Sequence, residues 1–145
     1  MLNKYDESLS DLNRSLEIKP DDAFALRNRG ETHRMLNKYN ESLSDLNRSL
    51  EIEPDDAFTL RNRGETYRML NIYNESLSDL NRSLEIKPDD AFALSSRGET
   101  YRILNKYNES LSDFNRSLEI KPNDAFTLSR RGETYRILRN TTNHF

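Results

Sequence analysis

The chain has 145 residues, of which 34% are hydrophobic and 32% are charged, and its formal net charge is −3. This length predicts one domain, but Leu, Ile and Phe together supply only 33 residues, which is few for one large hydrophobic core. The acidic balance argues against general affinity for nucleic acid, and the absence of cysteine excludes disulfide frameworks, thiolate metal sites and thiol nucleophiles.

Membrane insertion and secretion are also not expected. No segment approaches the roughly 18 consecutive apolar residues that a membrane-spanning helix needs. The first residues, Met1 to Lys4, do not open into the apolar run of a signal peptide. A soluble cytoplasmic protein, without membrane or nucleic-acid partners, is therefore the expectation.

Glycine and proline recur with one regular spacing. The glycines are Gly30, Gly64, Gly98 and Gly132, and the prolines are Pro20, Pro54, Pro88 and Pro122, so that each set is spaced by 34 residues. The blocks that this spacing defines have nearly the same sequence: 1–34, 35–68, 69–102 and 103–136. This regularity excludes an irregular globular enzyme and predicts a repeat protein.

Each block contains two helix patterns. The first is seen at Tyr39, Leu43, Leu46 and Leu50, which follow the spacing i, i+4, i+7 and i+11 along one face of an α-helix. The second is formed by the residues Leu60, Arg63, Gly64, Tyr67 and Leu70. The sequence therefore predicts a chain of amphipathic helices that alternate between two types.

The residues between the helix patterns predict how each helix ends and begins. Pro54 cannot continue the helix before it, and it restricts the residue that precedes it. Asp55 and Asp56 then offer side-chain oxygens and negative charge to the start of the next helix. Asn37, Asn71 and Asn105 tolerate the left-handed conformation that ends a helix, so they predict the turn inside each helix pair.

Small residues at repeated positions predict close packing between helices. A glycine inside a helix costs about 1 kcal/mol relative to alanine, so four glycines in one register need a reason. Close approach of a neighbouring helix, with which a Cβ atom would clash, is the simplest one. Serines beside the leucine stripe of the partner helix would allow the same approach; these are Ser42, Ser49, Ser76, Ser83, Ser110 and Ser117.

The residues resemble the tetratricopeptide repeat family, whose units are 34-residue helix–turn–helix pairs. The resemblance covers essentially the whole chain. One unit shows the family pattern as Ala57, Leu60, Gly64, Tyr67, Tyr73, Leu77, Leu80, Leu84 and Pro88. It departs from the pattern at Ser76 and Ser83, where the family favours alanine, and at Asn71, where it favours glycine.

The resemblance implies an all-α fold and fixes the expected boundaries. It implies about eight helices, stacked in antiparallel pairs as a right-handed superhelical α-solenoid that forms a single domain over residues 1–145. The expected parts are an unpaired second helix at 3–19, complete repeats at 23–56, 57–90 and 91–124, a capping helix at 125–138 and a tail at 139–145. Each unit of a solenoid contacts only its neighbours, so a narrow continuous core suffices.

Three arginines are expected in buried ion pairs. Arg29, Arg63 and Arg97 lie close to the core stripe of their helices, where an unpaired charge would be costly. The expected counter-ions on the partner helices are Asp45, Asp79 and Asp113.

No arrangement of residues predicts catalysis, a cofactor or a metal site. The histidines are His33, which replaces a repeated tyrosine, and His144, and neither has a nucleophile or ligand set near it in the repeat. The repeated Asp and Glu residues are read as solvated helix charges, because no pair is singled out for acid–base chemistry. The chain is therefore expected not to be an enzyme.

The face of each first helix opposite its core stripe is the candidate functional surface. In the family, this face lines a concave groove that holds peptide segments of partner proteins. The candidate groove residues are Phe24, Arg27, Asn28, Glu31, Arg34, Phe58, Arg61, Asn62, Glu65, Arg68, Phe92, Glu99, Arg102, Arg130, Glu133 and Arg136. Positions 95 and 129 carry serine where Arg27 and Arg61 stand, so the groove is expected to be more cationic towards the N-terminal half.

Two interpretations of this face remain open. In one, arginines and phenylalanines bind an acidic or C-terminal peptide. In the other, Glu and Arg pair with each other in a ladder and the phenylalanines pack between neighbouring helices. The carboxylate clamp of some family members is not expected, because Glu31 and Glu65 stand where it needs asparagine, and Phe92 where it needs lysine.

The helix patterns at 3–19 and 125–138 suggest an alternative function. The first lacks a preceding first helix and the second lacks a following second helix, so two copies joined head to tail would recreate one repeat. Heterologous contacts of this kind can build open assemblies. The leading expectation is a scaffold that presents a groove to a protein or peptide partner, and the alternative is a self-associating structural repeat without a separate ligand.

Overall fold

A computed structural model describes residues 2–142, with side chains for residues 4–141. In this range the chain forms eight α-helices and no strand. They are α1 (Leu2–Ile18), α2 (Ala23–Met35), α3 (Tyr39–Ile52), α4 (Ala57–Met69), α5 (Tyr73–Ile86), α6 (Ala91–Ile103), α7 (Tyr107–Ile120) and α8 (Ala125–Thr142). The predictions of an all-α fold and of eight helices are confirmed. No helix in the described range is long and apolar enough to cross a membrane.

The helices belong to two compact units, and the boundary between them lies after Ser83, inside α5. In the first unit, α2 packs against α1, α3 and α4. In the second unit, α6 packs against α7 and α8. Neighbouring helices run antiparallel, since Ser49 Oγ on α3 donates to the carbonyl of Ala23 at the start of α2, whereas Arg29, later in α2, contacts Asp45, earlier in α3.

The turns inside the helix pairs depend on asparagine, as predicted. Asn37, Asn71 and Asn105 have φ angles of 62° to 63°, in the left-handed region. The backbone N–H of Asn37 donates to the carbonyl of Arg34, and that of Lys38 donates to the carbonyl of His33. These two bonds form a Schellman motif, which satisfies carbonyls that the end of α2 would otherwise leave without donors.

The last helix is longer than predicted. The expected end at residue 138 is wrong, because α8 continues to Thr142 and therefore includes residues 139–142 of the expected tail. The physical reason is Arg139, which occupies the repeat position of Asn105 and, unlike asparagine, does not readily adopt the left-handed conformation. Within the added turn, Thr141 Oγ1 donates to the carbonyl of Ile137 at 2.9 Å. The remaining tail residues, including His144, lie outside the described range.

Two neighbouring aspartates precede α2, and they have different tasks. Asp22 is the N-cap of α2, and its Oδ1 accepts hydrogen bonds from the backbone N–H groups of Phe24 and Ala25, at 3.1 and 3.2 Å. Asp21 instead forms an exposed ion pair with Arg48 on α3. Asp22 therefore supplies a capping oxygen and negative charge to the start of α2, whereas Asp21 contacts α3.

The glycines allow close contact between paired helices, as predicted. A Cβ atom built on Gly30 would lie 2.7 Å from Cδ2 of Leu46, and one on Gly98 would lie 2.7 Å from Cε1 of Phe114. Leu46 and Phe114 are both fully buried. In contrast, no described atom lies within 4 Å of a Cβ built on Gly132.

The predicted ion pairs are confirmed. The distances from Arg29 to Asp45, Arg63 to Asp79 and Arg97 to Asp113 are all 2.7 Å. Each guanidinium uses both Nε and Nη2 to contact the two carboxylate oxygens, which is the strong bidentate geometry. The aspartates are only 5% to 6% exposed, so each pair balances a charge inside the helix interface.

His33 occupies the position of Tyr67 in the interface between α2 and α3. Its side chain is 15% exposed, its Nε2 lies 3.6 Å from Asp45 Oδ2, and its Nδ1 is buried without a hydrogen-bond partner among the described residues. Burial lowers the pKa of His33 below its usual 6.5, although the negative charge of Asp45 opposes this shift. The folded chain therefore favours the neutral imidazole.

Replacing His33 by tyrosine is expected to raise the free energy of unfolding by about 1 kcal/mol at pH 6 and less at pH 8, since it removes a buried polar atom that has no partner. Because the native pKa is below the unfolded value, the unfolded chain binds a proton more tightly, and wild-type stability falls as pH drops below about 6.5. Urea unfolding at pH 5, 6 and 8 measures the difference. Tyr67→His is the reciprocal control and should introduce the same pH dependence; equal pH profiles for all three chains would contradict this account.

Candidate functional site

Aromatic rings and guanidinium groups alternate on the first-helix face of the first unit. The Arg27 guanidinium carbon lies 4.9 Å from the ring centroid of Phe24 and 4.7 Å from that of Phe58. The guanidinium carbon of Arg61 lies 4.5 Å from the Phe58 centroid, within cation–π distance. We call these four residues the aromatic–arginine stack. α2 contributes Phe24 and Arg27, and α4 contributes the other two.

The stack is partly open to solvent. The side chain of Phe24 is 63% exposed, whereas Phe58 is half-buried between the two arginines. Arg27 also donates through Nη1 to Oδ2 of Asp56, the N-cap residue of α4, at 3.0 Å. A carboxylate that caps one helix therefore also holds the arginine of the preceding first helix in place.

The remaining candidates of the first unit are less accessible. Arg68 forms an ion pair with Glu65 one turn earlier on α4, and Glu65 is only 6% exposed. Asn62 is fully buried, with neither amide atom hydrogen-bonded among the described residues. Asn28, Glu31 and Arg34 are half-buried. The openly accessible part of this face is therefore centred on Phe24 rather than on the asparagines.

In the second unit, glutamate–arginine pairs dominate the same face. Arg102 contacts Glu99, and Arg136 contacts Glu133, both at 2.6 Å. The Glu99 hydrogen bond raises the pKa of the Arg102 guanidinium, and the Arg136 hydrogen bond lowers the pKa of Glu133, so each bond favours the charged form of the group that it shifts. These glutamate–arginine pairs form the ladder that the second interpretation of this face predicted.

The phenylalanines of the second unit do not fit that interpretation. Phe92 and Phe126 are 40% and 42% exposed, so they are not packed away between helices. The guanidinium carbon of Arg130 lies 5.1 Å from the Phe126 centroid. Where Arg27 stands in α2, the second unit has Ser95, whose hydroxyl is 2.7 Å from that of Thr127. The two units therefore share exposed phenylalanines but differ in their arginines.

One contributor to the site was missed in the sequence. Asp56 was read only as a helix start, although it also holds Arg27 at 3.0 Å. The sequence signal was weak, because Asp56 has the neighbouring Asp55 beside it and the residue pattern does not distinguish their partners. Within the described residues, no group of three or more His, Asp or Glu side chains could hold a metal ion.

Comparison with known proteins identifies the repeat. Two family models, both described as tetratricopeptide repeat, match residues 23–56 and 91–124. The chain contains tetratricopeptide repeats. A search of curated proteins gives no significant match. The division of the whole tetratricopeptide chain into one solenoid, with a further repeat at 57–90, stays a prediction.

Solved tetratricopeptide structures share the fold. The first tetratricopeptide domain of human RPAP3 has 24% sequence identity and a TM-score of 0.78, covering 87% of this chain and 99% of that domain. The first tetratricopeptide domain of Spaghetti (RPAP3), bound to the HSP90 peptide SRMEEVD, has 24% identity and a TM-score of 0.77, covering 81% and 93%. MamA has 16% identity and a TM-score of 0.82, covering 92% and 78%.

Proposed function

We propose that this tetratricopeptide chain is a non-enzymatic interaction scaffold that binds an extended peptide segment of a partner protein on the first-helix face of its first unit. The observation that carries the proposal is the aromatic–arginine stack, with the Phe24 ring 63% exposed beside the guanidinium of Arg27. Large exposed aromatic side chains at the same position of successive helices are typical of interaction surfaces.

The chemistry of the stack favours a peptide that combines an apolar side chain with a carboxylate. The apolar side chain would cover the exposed Phe24 ring, and the carboxylate would accept hydrogen bonds from guanidinium N–H groups. The Arg61 guanidinium is placed by the Phe58 ring at 4.5 Å, which limits the entropy that it would lose on binding. The Spaghetti domain, which shares this fold, binds a peptide, and this supports peptide binding by the present chain.

The glutamate–arginine pairs on the first helices limit which arginines could contact a ligand. Arg68, Arg102 and Arg136 each contact a glutamate on their own helix, so a ligand carboxylate would have to compete with an existing partner. We place the main contacts at Phe24, Arg27, Phe58 and Arg61 because the exposed Phe24 ring belongs to this stack, although a ligand carboxylate at Arg27 would also compete with Asp56. The other candidate groove residues would act as the polar rim of the site.

The test is peptide selection from a displayed library that varies acidic and apolar positions, followed by calorimetric titration of the selected peptides. Phe24→Ala and Arg61→Ser should each weaken binding by about tenfold, as expected for anchors at the centre of an interface. Arg61→Ser introduces the residue that the chain itself has at Ser95. Arg14→Ser is the matched control, since Arg14 lies on α1 with its side chain 74% exposed. Equal affinities for all four chains, or failure to select any peptide, would refute the proposal.

A further inference from the structure

Helix α8 presents an uncovered copy of an interface that is buried elsewhere in the molecule. Leu128 on α8 is 43% exposed, whereas Leu26, at the same repeat position on α2, is 4% exposed. Gly132 is exposed, whereas Gly30 is buried under Leu46. In the described residues, no second helix follows α8, so this face has lost the cover that α3 gives to α2.

Helix α1 presents the complementary copy. Asp11 is exposed on α1, whereas the corresponding Asp45 on α3 is 6% exposed. Leu12 is half-buried, whereas the corresponding Leu46 is fully buried. Residues 2–18 differ from 36–52 at a single position, Asp6 in place of asparagine, so α1 has nearly every side chain with which α3 covers α2.

The charges on the two faces are complementary. Arg131 on α8 donates to Asn115 Oδ1 at 2.9 Å, as Arg29 donates to Asn13 Oδ1 at 3.1 Å. Arg29 also has its bidentate partner Asp45, but in the described part of the chain Arg131 has no carboxylate within 4 Å. Among the described residues, Arg131 on α8 lacks a carboxylate partner, and Asp11 on α1 is exposed. The two residues are therefore complementary, as Arg29 and Asp45 are.

We propose that α8 of one copy packs against α1 of a second copy, in the register that α2 uses on α3. Arg131 then pairs with Asp11 of the second copy, as Arg29 pairs with Asp45 at 2.7 Å. Leu12 of the second copy fills the space over Gly132, and Leu128 becomes buried. The contact uses none of the four residues of the aromatic–arginine stack, so variants of one do not alter the residues of the other.

This contact is heterologous, since two different faces meet. An open assembly therefore keeps one unused α8 face at one end and one unused α1 face at the other until a ring closes, and it can grow by further additions. Two copies joined in this way create one additional helix pair with the packing that the chain already uses internally. The interface adds a nearest-neighbour contact of the kind that stabilises repeat arrays.

Sedimentation equilibrium of the 145-residue chain from about 1 μM to about 1 mM tests the proposal, because a dissociation constant in this range gives a mass that rises with concentration. The expected result is such a rise. A chain that stays at its monomer mass throughout, for instance because its own residues cover the α8 face, would overturn the proposal.

Charge reversal separates this contact from any other mode of association. Arg131→Asp and Asp11→Arg should each weaken association by about tenfold or more, because like charges then face each other. An equimolar mixture of the two variants should regain wild-type association, since α8 of each variant then meets an opposite charge on α1 of the other. Lys4→Asp is the matched control, since Lys4 is exposed on α1 and the corresponding Lys38 stays exposed beside α2.

A second variant keeps the test decisive if charge reversal disturbs folding. Gly132→Leu introduces a side chain whose Cβ meets no described atom of its own chain within 4 Å, but it would collide with Leu12 of a second copy. It should retain its helical circular dichroism and lose association by about tenfold or more. Association of Gly132→Leu at wild-type strength, or failure of the mixed variants to regain it, would show that the two copies meet elsewhere.

Discussion

Replacement of Arg97 by methionine should lower the free energy of unfolding by about 3 kcal/mol at pH 7, because it leaves the Asp113 carboxylate buried without its counter-ion. The side chain of Asp113 is 7% exposed, and Arg97 donates to its two oxygens at 2.8 and 2.7 Å. Burial raises the pKa of Asp113 even though the Arg97 guanidinium opposes the shift. Chemical denaturation followed by circular dichroism measures the effect.

Two further variants show whether the buried charge is the cause. Arg97→Met combined with Asp113→Leu should recover most of the lost stability, since a buried ion pair can be replaced by apolar side chains at little cost. Arg116→Met is the exposed control: Arg116 pairs with Asp89, but its side chain is 49% exposed, so the free energy of unfolding should hardly change. Similar losses for Arg97→Met and Arg116→Met would contradict the interpretation.

The pH dependence gives an independent check of the same prediction. Because the pKa of Asp113 is raised in the folded chain, the folded chain binds a proton at this group more tightly than the unfolded chain does. Lowering the pH from 7 to 4 protonates the orphaned carboxylate and removes the buried charge. The destabilisation caused by Arg97→Met should therefore be smaller at pH 4 than at pH 7.

The second large effect is expected at Gly98. Gly98→Ala should lower the free energy of unfolding by about 2 kcal/mol, because its Cβ would lie 2.7 and 2.8 Å from two ring carbons of the fully buried Phe114. A ring cannot bend away as a flexible side chain can, so the helices must separate or the ring must shift. This packing cost exceeds the gain of about 1 kcal/mol that alanine offers over glycine in a helix.

Gly132→Ala is the matched control for this prediction. It makes the same exchange at the same repeat position, but no described atom lies within 4 Å of the new Cβ. Without a packing cost, the helix propensity should dominate and raise the free energy of unfolding by up to about 1 kcal/mol. Urea midpoints of the two variants, measured at low concentration, should move in opposite directions. A shift in the same direction would show that close packing is not the reason for glycine at this repeat position.

The interiors of the helix pairs could be predicted from the sequence because the period fixes which residues face each other. Arg29 and Asp45 are both repeated at 34-residue intervals beside the core stripes, so their pairing followed from helix geometry and the cost of an unpaired buried charge. The turn at Asn37 followed from the conformational preference of asparagine. The end of α8 could also have been predicted, since Arg139 replaces that asparagine.

For the candidate site, the sequence predicted the helix face but not the contacts between its side chains. Arg27 has carboxylates within reach on its own helix and on α4, and the sequence does not say which of them it contacts. Its position between Phe24 and Phe58 depends on the rotation and spacing of α2 relative to α4, which no repeat length specifies. The burial of Asn62 also depends on how the helices are rotated and spaced. The sequence therefore predicted which residues lie on this face, but not which of them are exposed to solvent.

The antiparallel helix pairs also bear on how the chain folds. The contacts that hold α2 to α3 join residues close in sequence: Arg29 and Asp45 are 16 residues apart, and Ser49 and Ala23 are 26 apart. Only short loops must close before these contacts form, so the entropic barrier to each is small. Low contact order of this kind is associated with folding in microseconds to milliseconds. Since a chain is synthesised at about 5–20 residues per second, contacts within a pair can form faster than a further 34-residue repeat is added, which favours pairing between helices adjacent in sequence.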